Sequence, residues 1–292
     1  MLASLRFERG PRLSTPFGAR LRAAMDQRGP LCPGIDPHAA LLRAWGLDDT
    51  PAGLERFALT AVEALAPVSA VVKPQSAFFE RHGSRGIAVL ERVLAESRAA
   101  GALVLLDVKR GDIGTTAQGY AEAYLDPASS LAADAITVSP FLGFGSVQPF
   151  VDAARAHDAG LFVLALTSNP GADQVQHARA MHDRFGSLSV AGTVLAELAA
   201  LNEGAEPLGS FGAVVGATIG RTEEDLAING PLLAPGVGAQ GGDAEAVARI
   251  FGDQVGNVLP SSSREILGAG PSVDALREAA ARANDAFRAL AV

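Results

Sequence analysis

Asp107-Val108-Lys109-Arg110-Gly111-Asp112 sets an amine between two carboxylates within six residues. Asp107 and Lys109 are two apart, so on a continuing strand both side chains point to one face. A lysine among carboxylates is held as its ammonium, because nearby negative charge favours the charged form. Such a group suits general-acid chemistry and opposes Schiff-base attack, which needs a neutral amine. A surface ion pair at a strand end would read the same way in sequence and would contribute little. A second lysine, Lys73, raises the stakes. The chain has 24 basic residues, and only Lys73 and Lys109 are lysine; the other 22 are arginine. Lysine is a compact ammonium whose protonation responds to its surroundings, whereas arginine stays charged and forked. The two lysines are therefore candidates for positions where arginine would fail; the plain alternative is coding bias with two chance survivors.

Eight short apolar runs can position these residues: Leu31–Asp36, Ala70–Lys73, Leu103–Asp107, Ala135–Ser139, Leu161–Thr167, Gly212–Ala217, Leu232–Ala234 and Asn257–Pro260. Each is closed by polar residues, Gly or Pro, as expected of strands buried on both faces. Helical patterns fill the intervals. Leu54, Phe57, Ala58, Ala61, Val62 and Leu65 form a stripe of 3.6-residue period, and Ile87–Ala100 and Ala244–Phe251 read alike. Eight alternations in 292 residues predict an α/β fold, a closed (β/α)8 TIM barrel forming a single domain over 17–292 behind a 1–16 extension. An open doubly wound sheet is the rival. The long Asp173–Ser210 interval predicts an extra helix beside the barrel.

Barrel chemistry gathers at the C-terminal strand ends. Those ends are Asp36, Lys73, Asp107, Ser139, Ser168, Thr218, Gly236 and Ser261, with Lys109 two residues beyond the third. Gly236-Val237-Gly238-Ala239-Gln240-Gly241 matches the dinucleotide pattern, but it follows the seventh strand and lacks the acidic partner downstream. Phosphate capture by backbone N–H groups fits that position better. His38, His82, His157, His177 and His182 show no metal-ligand spacing and read as surface or loop residues, with His38 at the site mouth; Leu41, Leu42 and Trp45 read as helix packing. No metal and no cofactor are expected.

A net charge of −8 argues against a nucleic-acid surface. No apolar run reaches the roughly 18 residues that span a bilayer. The charged N-terminus does not resemble a secretory signal. The one cysteine, Cys32, excludes a disulfide within the chain and suits a reducing cytoplasm.

Asp107-Val108-Lys109-Arg110-Gly111-Asp112-Ile113 resembles the signature of the orotidine 5′-phosphate decarboxylase family. Gly34-Ile35-Asp36-Pro37, Val72-Lys73-Pro74, Thr167-Ser168-Asn169-Pro170-Gly171 and the Ala234–Gly242 glycine loop resemble further motifs of that family, in its order, from about Phe17 to Leu267. The opening and Ser261-Ser262-Ser263-Arg264 look like its longer bacterial subgroup, although the shorter form commonly ends in Gly-Arg there. The resemblance implies decarboxylation of orotidine 5′-phosphate, a cytoplasmic step of UMP biosynthesis. Lys109 would protonate C6, Asp107 would sit by the substrate carboxylate, and Lys73 and Asp36 would complete the network and hold ribose hydroxyls. Asp112, Ile113 and Thr116 would reach into the neighbouring subunit's site, implying a homodimer. Ser168 would contact the pyrimidine, and Gln240 and Arg264 the phosphate.

The rival enzyme is a Mg-dependent sugar-phosphate decarboxylase or synthase of the same broader group, which carries an acidic residue where this chain has Lys73. Two further rivals are a Schiff-base aldolase and a non-catalytic nucleotide-binding barrel.

Overall fold

The structure is a computed structural model that describes residues 15–238 and 241–290. Its strands are β1 (Cys32–Ile35), β2 (Val71–Pro74), β3 (Leu103–Arg110), β4 (Ala135–Val138), β5 (Gly160–Leu166), β6 (Arg179–His182), β7 (Gly186–Ser189), β8 (Phe211–Val215), β9 (Leu232–Pro235) and β10 (Val258–Ser262). Eight of them close a parallel barrel in the order β1-β10-β9-β8-β5-β4-β3-β2, each coinciding with an expected run to within a few residues. Closure, with β1 hydrogen-bonded to both β2 and β10, removes the open doubly wound sheet.

Helices form the outer ring because their apolar stripes need the barrel's outer face. Pro51–Leu65 starts where Thr50 caps it, accepting a hydrogen bond from the Gly53 amide, with Pro51 in the first turn. It buries the predicted stripe of Leu54, Phe57, Ala58, Ala61, Val62 and Leu65. The Trp45 ring lies 4.0 Å from that of Phe57 and its Nε1–H donates to the Leu267 carbonyl, so Trp45 packs as expected, as do Leu41 and Leu42.

The barrel interior is a second, smaller core. Cys32, Val71, Leu105, Phe162, Leu233 and Leu259 fill it, and the helix Phe17–Arg28 plugs its N-terminal end with Phe17, Leu21 and Met25. Phe17 meets Phe162 edge to face, with centroids 6.2 Å apart. Gly160 is required there, since a Cβ would come within 2.2 Å of the Phe17 ring. Packing below leaves the C-terminal end free for polar groups.

The Asp173–Ser210 interval departs from expectation. In place of an extra helix it holds one helical turn, Asp173–Gln176, and an antiparallel hairpin of β6 on β7, before the barrel helix Val190–Leu201. The hairpin strands alternate exposed and half-buried residues, and Gly186 at φ +72° closes the turn. An amphipathic ribbon lying on the barrel rim does not carry a 3.6-residue signal. Among the described residues no helix is long and apolar enough to cross a membrane.

Candidate active site

Three adjacent strands deliver one charged network to the C-terminal mouth. β2 carries Lys73, β3 carries Asp107 and Lys109, and β4 carries Thr137. Asp107 is 6% exposed and accepts from three donors: Lys73 Nζ at 3.1 Å, Lys109 Nζ at 2.5 Å and Thr137 Oγ1 at 2.8 Å. Burial pushes the Asp107 carboxyl up, but the two ammonium groups and the hydroxyl pull it down to about 2. Burial pulls the Lys73 ammonium down, but Asp107 and then Asp36 outweigh it and hold Lys73 above the ordinary lysine range. A Lys73 whose charged form is favoured opposes the aldolase reading, which needs a free amine. Below it, burial pushes the Cys32 thiol up to about 12, so that sulfur stays an inert packing group. The two lysines divide the work by exposure. The Lys73 side chain is 7% exposed and buried against Asp107, whereas that of Lys109 is 46% exposed and reaches into the open mouth.

Lys109 and Asp107 do meet, but not by simple strand alternation. The pairing of β3 with β4 slips between Leu106 and Arg110, and Lys109 adopts φ +45°. The other non-glycine residues at positive φ among the described ones are Asp158 and Asn229, types that tolerate the left-handed region. For lysine that conformation costs about 1–2 kcal/mol. The Lys109 amide donates to Thr137 Oγ1 at 2.9 Å, the same hydroxyl that donates to Asp107, so one buried threonine ties the backbone of one partner to the carboxylate of the other.

The network opens into a cavity of about 270 Å³, at the small end for ligand sites. Leu164, Val214 and Leu233 form an apolar floor, and Asp36, Ser263 and Arg264 line it towards β1 and β10. Asp36 Oδ1 and Ser263 Oγ are buried without a hydrogen-bond partner. The glycine loop borders the same cavity through Gly236 and Val237. Gly238 sits at φ +76°, and a Cβ there would overlap Glu265.

The predicted residues separate into three groups. Asp36, Lys73, Asp107, Lys109 and Arg264 share the cavity. Ser168 is exposed and lines an adjoining cavity of about 590 Å³; Thr167 lines both. Asp112 and Ile113, on the segment entering the helix Gly114–Leu125, and Thr116, in its first turn, lie outside the cavity, with Ile113 62% exposed. Gln240 lies outside the described residues. Among the histidines, His38 and His82 are half-buried loop residues, with His82 Nε2 3.6 Å from Asp49, and His182, at the end of β6, pairs with Glu197 at 2.9 Å. Among the described residues no group of three His, Cys, Asp or Glu side chains is placed to hold a metal.

The model of the Orotidine 5'-phosphate decarboxylase / HUMPS family matches residues 29–279. The chain belongs to this family. A relative from Nocardioides sp. named orotidine 5'-phosphate decarboxylase is 66% identical over 273 residues, covering 94% of this chain and 99% of the relative. One from Streptomyces coelicolor with the same name is 62% identical over 91% of this chain and 95% of its own. A crystal structure from Streptomyces avermitilis, provisionally described as that decarboxylase, superposes with TM-score 0.92 at 60% identity over 99% of both chains. The OMP decarboxylase of Leishmania donovani superposes at 0.73 with 30% identity, over 95% of this chain and 99% of that one.

Sequence reasoning passes over Thr137 and Gln75, yet both line the cavity. Thr137 is two residues before Ser139, so strand parity from a strand-end residue would have found it. Gln75 lies just past Lys73 and bridges to Asp107 through the backbone, a contact across strands that spacing does not encode.

Proposed function

We propose that this chain decarboxylates orotidine 5′-phosphate to UMP and CO2, the last step of UMP biosynthesis, in the cytoplasm and without a cofactor. The observation that carries the reading is the Lys109 ammonium, held by the buried Lys73–Asp107 pair, facing a closed-bottomed cavity. The C6–carboxylate bond breaks and its electron pair stays on C6. The Lys109 ammonium, fixed before the substrate arrives, stabilises that developing charge and then transfers its proton to C6. Water later restores the proton to Lys109. Asp107 faces the substrate carboxylate, and its low pKa keeps it charged there. Asp36 and Lys73 hold the ribose hydroxyls, Ser168 the pyrimidine, and Arg264 and Gln240 the phosphate.

The site is completed in a homodimer. Asp112, Ile113 and Thr116 lie off their own cavity, and Ile113 is exposed on the same end of the barrel, which supports their service to a second subunit's site. The Mg-dependent sugar-phosphate reading is disfavoured by Lys73, whose ammonium stands where that chemistry has an acidic residue.

The test follows the loss of substrate ultraviolet absorbance with EDTA-treated protein, wild type beside Lys109→Ala. Metal-independent turnover that falls by at least about 10³-fold in the variant is expected. Turnover that appears only with Mg²⁺, or none at all, would overturn the reading.

A further inference from the structure

We infer that Arg110 is a positioning residue whose guanidinium clamps the backbone of Lys109 in its left-handed conformation and so aims the ammonium at the reaction centre. This rests on the decarboxylase reading for its kinetic consequence, but its geometry stands alone. Arg110 follows Lys109 directly, and its side chain folds back so that an Nη1–H donates to the carbonyl of Val108, the residue before Lys109, at 3.1 Å. Its own carbonyl accepts from the Ser139 amide at 2.8 Å. Both peptide neighbours of the strained residue are thereby fixed. Positive φ at a lysine persists only where the surroundings over-determine it.

The clamp is anchored on two sides. Nη2 donates to Glu80 Oε1 at 2.7 Å and to Tyr124 Oη at 3.1 Å, and the guanidinium carbon lies 5.6 Å from the ring centroids of both Tyr120 and Tyr124. Glu80 also accepts from Ser76 Oγ at 2.5 Å, and the Ser76 amide donates to the Asp107 carbonyl at 3.2 Å. Arg110 therefore links the segment after Lys73 to the segment carrying Lys109, and both to the helix that Asp112 and Ile113 lead into. A planar fork that stacks on rings and donates in several directions is a task lysine cannot perform.

The two lysines make the test unusually clean. Protein labelled with ¹⁵N-lysine gives backbone amide signals from Lys73 and Lys109 alone, assigned by loss of one in Lys109→Ala. Glu80→Gln, remote in sequence from Lys109, is expected to shift or broaden the Lys109 signal and leave Lys73 in place; Arg110→Met does the same more strongly. In turnover, Arg110→Met lowers kcat by about 10- to 100-fold with KM within about threefold, the signature of misplacement and not of lost binding. Arg110→Lys restores less than half of the loss. An unmoved Lys109 signal in Glu80→Gln and Arg110→Met overturns the inference whatever the activity. So does unchanged kcat in Arg110→Met accompanied only by a lower thermal midpoint. Wild-type protein without turnover, but with the Lys109 signal moved, would sink the decarboxylase reading and leave the clamp standing.

Discussion

At the scale of single residues, the site is an exercise in keeping charges buried without neutralising them. Asp107 survives ionised because three donors converge on it, and its pKa in the folded chain, about 2, lies below its ordinary 3.8. The sign of the consequence is fixed. Between those values the unfolded chain binds more protons, so the stabilisation from Asp107 is complete above about pH 5 and is lost as pH falls towards 2. Asp107→Asn removes this dependence. Denaturant titrations at pH 5 and pH 3 are expected to show the stability gap between wild type and variant narrowing by about 1 kcal/mol. Parallel acid dependence in the two proteins would show that Asp107 is not held by its partners. Lys109 presents the complementary case. Its side chain is open to the cavity while its backbone is strained, so precision comes from Thr137 and Arg110 and not from burial of the amine.

At the scale of elements, the two ends of the barrel have opposite duties. The N-terminal end is sealed by the helix Phe17–Arg28, whose Phe17 is 1% exposed against Phe162. Removing that ring leaves a cavity beneath the inner core. Phe17→Ala is expected to lower unfolding free energy by about 3–5 kcal/mol in urea titrations, while kcat at 25 °C stays within about twofold, because the catalytic end does not touch it. A large fall in kcat with folding intact would mean that the plug communicates with the mouth. At the other end, the slip in β3–β4 pairing is the element-level device that brings Lys109 back onto Asp107. Bulges recur where a side chain must be re-aimed.

At the scale of the whole molecule, the proposed homodimer makes its own prediction. If Asp112 works in the partner's site, two inactive variants should repair one another. Lys109→Ala and Asp112→Asn, each nearly silent alone, would be mixed, unfolded together and refolded to exchange subunits. Each mixed dimer then holds one doubly defective site and one intact site, so activity should recover to about a quarter of wild type. Absence of recovery in a mixture shown to contain mixed dimers would place Asp112 in its own subunit's chemistry.

Much of this architecture was legible from the residues, for physical reasons. Strands buried on both faces must be apolar and short, so Leu103–Asp107 or Leu161–Thr167 announced themselves, and so did the helix stripe from Leu54 to Leu65. Lys73 and Lys109 stood out because almost every other cation is arginine, and the Asp107–Asp112 string carried the family resemblance. The sequence alone thus determined the alternation of elements and the identity of the charged groups. Only the tertiary structure decided the closure of the barrel, the β6–β7 hairpin, and which groups actually meet. Strand order depends on hydrogen bonds between segments far apart in the chain, which no local period reports. Thr137 bonding both Lys109 and Asp107, and the left-handed turn at Lys109 itself, arise from a slip between neighbouring strands. A slip is a relation between two segments, and neither segment's composition contains it.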